Sequence, residues 1–184
     1  TDPTGGMAEE ELAAMDREHR DWDKAYTDES DNYRYRTNAG FLALKTSRIA
    51  MEQMNLFYRR FFHFMEDGGN TPKIEIRIFK NRDEYLKLGR NPVEWSAGHF
   101  IGDAVETYAG GVSGKESVRS MYGTLFHEAA HQFVSMTGPM VPGWLNEAYA
   151  SFFEGCVILS NGTVKWNRVP PGRLFPLAAR MDRG

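Results

Sequence analysis

A chain of 184 residues with 41% hydrophobic and 26% charged residues lies in the ordinary globular range, long enough for one domain with a real core. Its net charge of -3, with no block of lysines or arginines, excludes the electrostatic footprint of a nucleic-acid binder or of a protein held on an anionic membrane surface. Cys156 stands alone, which excludes an intrachain disulfide and a cysteine-rich zinc site, so any metal must take His and carboxylate ligands.

No apolar run approaches the roughly 20 residues that span a bilayer, and the polar start Thr1-Asp2-Pro3-Thr4-Gly5-Gly6 lacks the apolar core of a signal peptide. The expectation is a soluble chain, exported if a signal has been removed from its start. Met7 to Tyr26 is rich in Ala, Glu, Asp and Arg, with Leu12, Met15, Trp22 and Tyr26 as a thin apolar stripe, and reads as an exposed helix or arm. This divides the chain into an N-terminal helical arm, residues 1–30, and a single domain over residues 31–184.

Tyr33-Arg34-Tyr35-Arg36-Thr37 alternates with the period of a half-buried strand. Thr46 to Asp67 carries Ile49, Met51, Met54, Leu56, Phe57, Phe61, Phe62, Phe64 and Met65 at helical spacing and ends at Gly68-Gly69, so a long core helix is predicted, with His63 in a structural place. Ile74-Glu75-Ile76-Arg77-Ile78-Phe79 is the clearest strand, Asn81 can cap a short helix through Leu88, and Gly89 to Gly98 reads as a loop. Val105 to Ala109 reads as a further strand, expected at a sheet edge, before glycines at 110, 111 and 114 that make a turn or a flap. Strands and helices in this order, without repeat or linker, predict an α+β fold with a small mixed sheet packed on helices.

A helix expected from about Ser117 to Met136, stopped by Gly138-Pro139, holds His127-Glu128-Ala129-Ala130-His131. Residues four apart on a helix sit one above the other, so both imidazoles can share one metal ion. Glu128, one step round, can reach a water at the metal rather than the metal itself. Chance supplies such a motif in roughly one chain in a hundred of this composition, and the competing reading is a solvated helix side, so context has to decide. A catalytic zinc takes three protein ligands and leaves a fourth position open. Glu147 is the natural third: it lies 16 positions after His131 (131 to 147), past a Gly-Pro loop and near the start of a new helix that can fold back.

Trp144-Leu145-Asn146-Glu147-Ala148, with the HExxH helix before it, resembles the gluzincins, zinc peptidases that take their third ligand from a glutamate on the following helix. Gly123-Thr124-Leu125-Phe126-His127-Glu128, the Tyr-Arg-Thr-Asn strand and the Ile-Arg-Ile-Phe-Lys strand look, more narrowly, like the peptidase-MA-like group. The resemblance implies a thermolysin-like catalytic core and one zinc ion held by His127, His131 and Glu147, with Glu128 as general base acting on a peptide or protein substrate. It also implies an oxyanion-stabilising Tyr or His, for which Tyr108, His99, Tyr122 and Tyr149 are the candidates, and an extended substrate paired with the strand at 105–109. Where many relatives carry an acid four positions after the glutamate ligand, this chain has Ser151, with Glu154 a turn further on. Two other functions remain open: a zinc-containing binding module of the same fold without turnover, and a helical interaction protein whose histidines are incidental.

Overall fold

Alternation of isoleucine and charge builds the central strand β3, Ile74–Phe79. Ile74, Ile76 and Ile78 are buried on one face while Glu75, Arg77 and Phe79 point the other way. The protein is represented by a computed structural model that describes residues 3–64, 71–110, 115–138 and 141–169. Parallel neighbours flank β3: β2, Tyr33–Thr37, places Tyr35 beside Ile76, and β5, Ala104–Tyr108, places Val105 on its other side. Short antiparallel strands close both edges, β1, Tyr26–Glu29, against β2 and β4, Gly98–Phe100, against β5. The order is β1-β2-β3-β5-β4, and the fold is mixed α+β.

The isoleucine face is covered by helices. α2, Phe41–Phe61, returns the chain from β2 to β3, as a parallel pair requires, and buries Leu44, Met51, Met54 and Tyr58. α4, Lys115–Thr137, lies beside it with Leu125, Phe126, Ala129, Ala130 and Phe133 in the same core, and α5, Gly143–Glu154, adds Ala150 and Phe153. The hydroxyl of the fully buried Tyr58 donates to the Phe126 carbonyl at 2.7 Å, tying α2 to α4 one residue before His127. α3, Arg82–Leu88, capped by Asn81 whose side chain accepts from the Glu84 amide, covers the opposite face. There Trp22, Phe79 and Tyr85 form a second, smaller core, and the Arg36 and Arg77 guanidiniums lie 4.9 and 5.2 Å from the Trp22 ring. Glu106 of β5 is buried on this face and is neutralised by Arg77 Nε at 3.1 Å, while its other oxygen accepts from the Arg90 amide at 2.7 Å. The segment that follows α3 is thereby pinned to the sheet. A two-stranded hairpin, β6, Val157–Ile158, and β7, Val164–Lys165, follows α5.

The arm is shorter than expected. Its helix, α1, spans only Glu9–Glu18 and buries no residue, whereas Trp22 and Tyr26 belong to the domain, Trp22 in the second core and Tyr26 at the start of β1. Their apparent helical stripe arises because both are inward-facing residues of separate elements. The long helix begins at Phe41, five residues before the expected start, and ends at Phe61, short of the expected Asp67, with Phe62 as its C-cap; Gly68-Gly69 lies outside the described residues, as do glycines 111 and 114. β5 is not an edge strand. It is enclosed by β3 and by β4, a three-residue strand that begins at Gly98, the last residue of the stretch expected to be a loop. Among the described residues no helix is long and apolar enough to cross a membrane.

Candidate metal centre

The rotation of α4 is set by its apolar positions. Phe126, Ala129, Ala130 and Phe133 are at most 3% exposed, and about 100° per residue then carries His127, Glu128 and His131 to the margin of the buried stripe. The three line a cleft of about 730 Å³ bordered by β4 and α5. The two imidazoles stand one turn apart with ring centroids separated by 5.1 Å.

α5 brings the third group. The amides of Leu145 and Asn146 donate to the Pro142 carbonyl at 2.9 and 3.0 Å, which starts the helix at Gly143 and sets Glu147 on its second turn, over the histidines. Glu147 Oε2 lies 3.4 Å from His127 Nε2, and Oε1 lies 3.7 Å from His131 Nε2. One candidate ligand atom from each residue falls within 4.8 Å of the others. Tetrahedral ligands held about 2.1 Å from a zinc ion are about 3.4 Å apart, so two imidazole nitrogens and a carboxylate oxygen suit that ion in spacing and in chemistry.

A hydrogen bond from behind orients the His131 ring, and a carboxylate stands behind that of His127. Asn146 Oδ1 is 2.8 Å from His131 Nδ1, so Nδ1 carries the proton and the Nε2 lone pair faces Glu147. His127 Nδ1 is buried, and the group that meets it is Glu154 Oε2 at 3.4 Å. Seven residues is two helical turns, so Glu154 lies on the same face of α5 as Glu147 and fills from position +7 the place that Ser151 leaves at +4. A zinc ion held here would bind about 10- to 100-fold more weakly in Glu154→Ala, the usual effect of losing such a partner; competition with a chromophoric chelator measures it, and unchanged affinity would show that Glu154 is an ordinary helix-end carboxylate.

Glu128 is buried beside this cluster, with Oε2 3.9 Å from His131 Nε2. Burial pushes its carboxyl above the usual range, His127 and His131 pull it down, and Glu147 adds to the rise. Of the four oxyanion candidates only His99 lines the cleft. Tyr108 packs against Tyr85 on the far side of the sheet, ring centroids 5.4 Å apart. The Tyr122 hydroxyl bonds to that of Thr46. Tyr149 faces Phe61 and Phe62 at 6.0 and 5.5 Å. His99 borders the cleft through β4, but its ring is held on the other face, where Nε2 donates to the Arg90 carbonyl at 2.8 Å and Nδ1 is 2.7 Å from the Tyr85 hydroxyl.

The strand that borders the cleft is β4, not β5, and with Val93, Trp95 and Ser96 it forms the wall facing the metal-ligand cluster. Neither β4 nor Asn146 was singled out by the sequence, although Asn146 sits next to Glu147 and its amide is the simplest partner for a neighbouring imidazole. Comparison with family models, curated sequences and solved structures finds no match to this chain.

Proposed function

We propose that the chain is a zinc-dependent peptidase of gluzincin type with a thermolysin-like core. The observation that carries this reading is the convergence of His127, His131 and Glu147 beside the buried Glu128 in one cleft. Zinc bound by the two Nε2 atoms and the Glu147 carboxylate would polarise a substrate carbonyl and acidify a water. Asn146 holds the His131 imidazole with Nε2 forward, and Glu154 stands 3.4 Å behind His127 Nδ1. Glu128 takes a proton from the attacking water as its oxygen bonds to the carbonyl carbon, and returns it to the amine as the C–N bond breaks. β4 aligns an extended peptide along the cleft through its outward backbone groups, the part expected of the strand at 105–109.

A second reading, a zinc-holding peptide-binding module without turnover, is favoured by one observation: Tyr108, Tyr122 and Tyr149 do not line the cleft, and both ring nitrogens of His99 are engaged on the other face. Metal analysis and cleavage of a blocked peptide library separate the readings. The peptidase predicts one zinc per chain in the wild type, its loss in Glu147→Ala, and cleavage by the wild type alone. Zinc without cleavage favours the module, and no zinc in either protein ends both.

A further inference from the structure

The edge strand beside the cleft already has a hydrogen-bonding partner for part of its length. The turn joining β4 to β5 is a two-residue hairpin in which the Ile101 amide donates to the Ala104 carbonyl at 2.9 Å. Bonded and non-bonded pairs alternate along an antiparallel ladder, so His99 directs its backbone groups at Glu106, and Gly98 and Phe100 direct theirs outward, away from β5. These outward groups are the ones an added strand would use.

At Gly98 both are taken. The Ser96 hydroxyl donates to the Gly98 carbonyl and accepts from the Gly98 amide at 3.2 Å. The segment cannot drift away, because the Thr107 hydroxyl donates to the Ala97 carbonyl at 2.8 Å and the Ser96 amide donates to the Val93 carbonyl at 3.0 Å. Gly98 itself lies against α4: a Cβ there would sit 2.6 Å from Thr124 Cγ2, one turn before His127. The blocked position is thus the one pressed against the metal-bearing helix, and Phe100 keeps its outward groups at the other end of the strand.

From this we infer that Ser96 is a specificity-determining latch, whose hydroxyl occupies the backbone pairing position at Gly98 and must rotate away before an extended peptide can pair along the whole of β4. The inference rests on the peptidase reading for its occupant, an extended peptide. It gives that cleft a gate made of one hydroxyl, and it sets the order of binding: a peptide engages Phe100 first and extends toward α4 once Ser96 releases Gly98. A side chain rotates far faster than a loop moves, so the gate sets affinity rather than a slow step.

Ser96→Ala and Ser96→Thr are compared with the parent, all in the Glu128→Gln background so that peptide is not consumed. Amide hydrogen exchange at Gly98 is followed by NMR, and binding of a fluorescein-labelled, amidated octapeptide library by anisotropy. Removing the hydroxyl speeds Gly98 exchange about 10-fold and tightens library binding about 3- to 10-fold, the net worth of one hydrogen bond no longer displaced; Ser96→Thr keeps the parent values. Unchanged or weaker binding by Ser96→Ala, or no binding by any of the proteins, overturns the latch. Tighter binding by Ser96→Ala in a protein that holds no zinc leaves the latch standing and ends the peptidase. Zinc and cleavage in the wild type with no gain from Ser96→Ala does the reverse.

Discussion

On the proposed peptidase reading, Glu128→Gln is expected to keep the zinc and to lower peptide hydrolysis at least about 100-fold, and as much as 10,000-fold, the span over which a positioned general base contributes. The metal is expected to survive because Glu128 is not among the proposed ligands. Its nearer oxygen lies 3.9 Å from His131 Nε2 on one side of the cluster, whereas Glu147 reaches both imidazoles at 3.4 and 3.7 Å. Rate is lost because an amide cannot take a proton from water. The fold is unharmed. A carboxyl raised by burial destabilises the folded state as pH climbs through its range, and a neutral amide of equal size removes that penalty. Zinc content by atomic absorption, thermal unfolding and library cleavage measured on one preparation give the three readings. Retained cleavage would remove Glu128 from the mechanism, and loss of zinc would make it a ligand.

Much of this site could be read from the sequence because helical spacing is local. Two histidines four positions apart, His127 and His131, and a glutamate on the next helix need no knowledge of the rest of the fold. The same arithmetic excludes two of the oxyanion candidates. Tyr122 is five residues before His127, about 140° round α4, and Tyr149 is two residues after Glu147, about 200° round α5, so each faces the core when its neighbour faces the cleft. Counting seven residues from Glu147 leads to Glu154 by the same rule. Period-two alternation places Tyr108 with Glu106 and opposite Val105, but which face meets α4 depends on where the helices pack, and that is not written in the strand itself. β1 and β4 were hidden for a different reason. They have four and three residues at the sheet margins, with one side wet, and they exist because β2 and β5 offer them a ladder. The cleft wall, with Ser96 and Gly98, followed β4 out of view.

Phe153→Ala is expected to destabilise the domain by about 3–5 kcal/mol, among the larger costs of a single core truncation. Phe153 is fully buried and stands at the centre of an aromatic cluster, 4.8 Å from the Tyr58 ring, 5.1 Å from Phe61, 5.7 Å from Phe62 and 5.8 Å from Phe57. These rings come from α2 and the turn after it, so the cavity opens where α5 is seated on the rest of the core. α5 also carries Glu147, Asn146 and Glu154, and the ring-to-oxygen spacings at the metal cluster depend on that seat. Loss of zinc affinity should therefore accompany loss of stability, although Phe153 touches none of the ligands. Urea unfolding with and without zinc tests the link, because a ligand that binds only the folded state adds RT ln(1 + [L]/Kd) to its stability. If the proposed site holds zinc, the wild type is expected to gain several kcal/mol from saturating zinc and Phe153→Ala distinctly less. Phe153→Leu keeps more of the volume and is expected to fall between them. An equal gain in all three proteins would mean that α4 and the start of α5 hold the metal without help from the aromatic cluster. A cost of less than about 1 kcal/mol would mean that α5 is seated by its other contacts, through Ala150 and the short turn after α4.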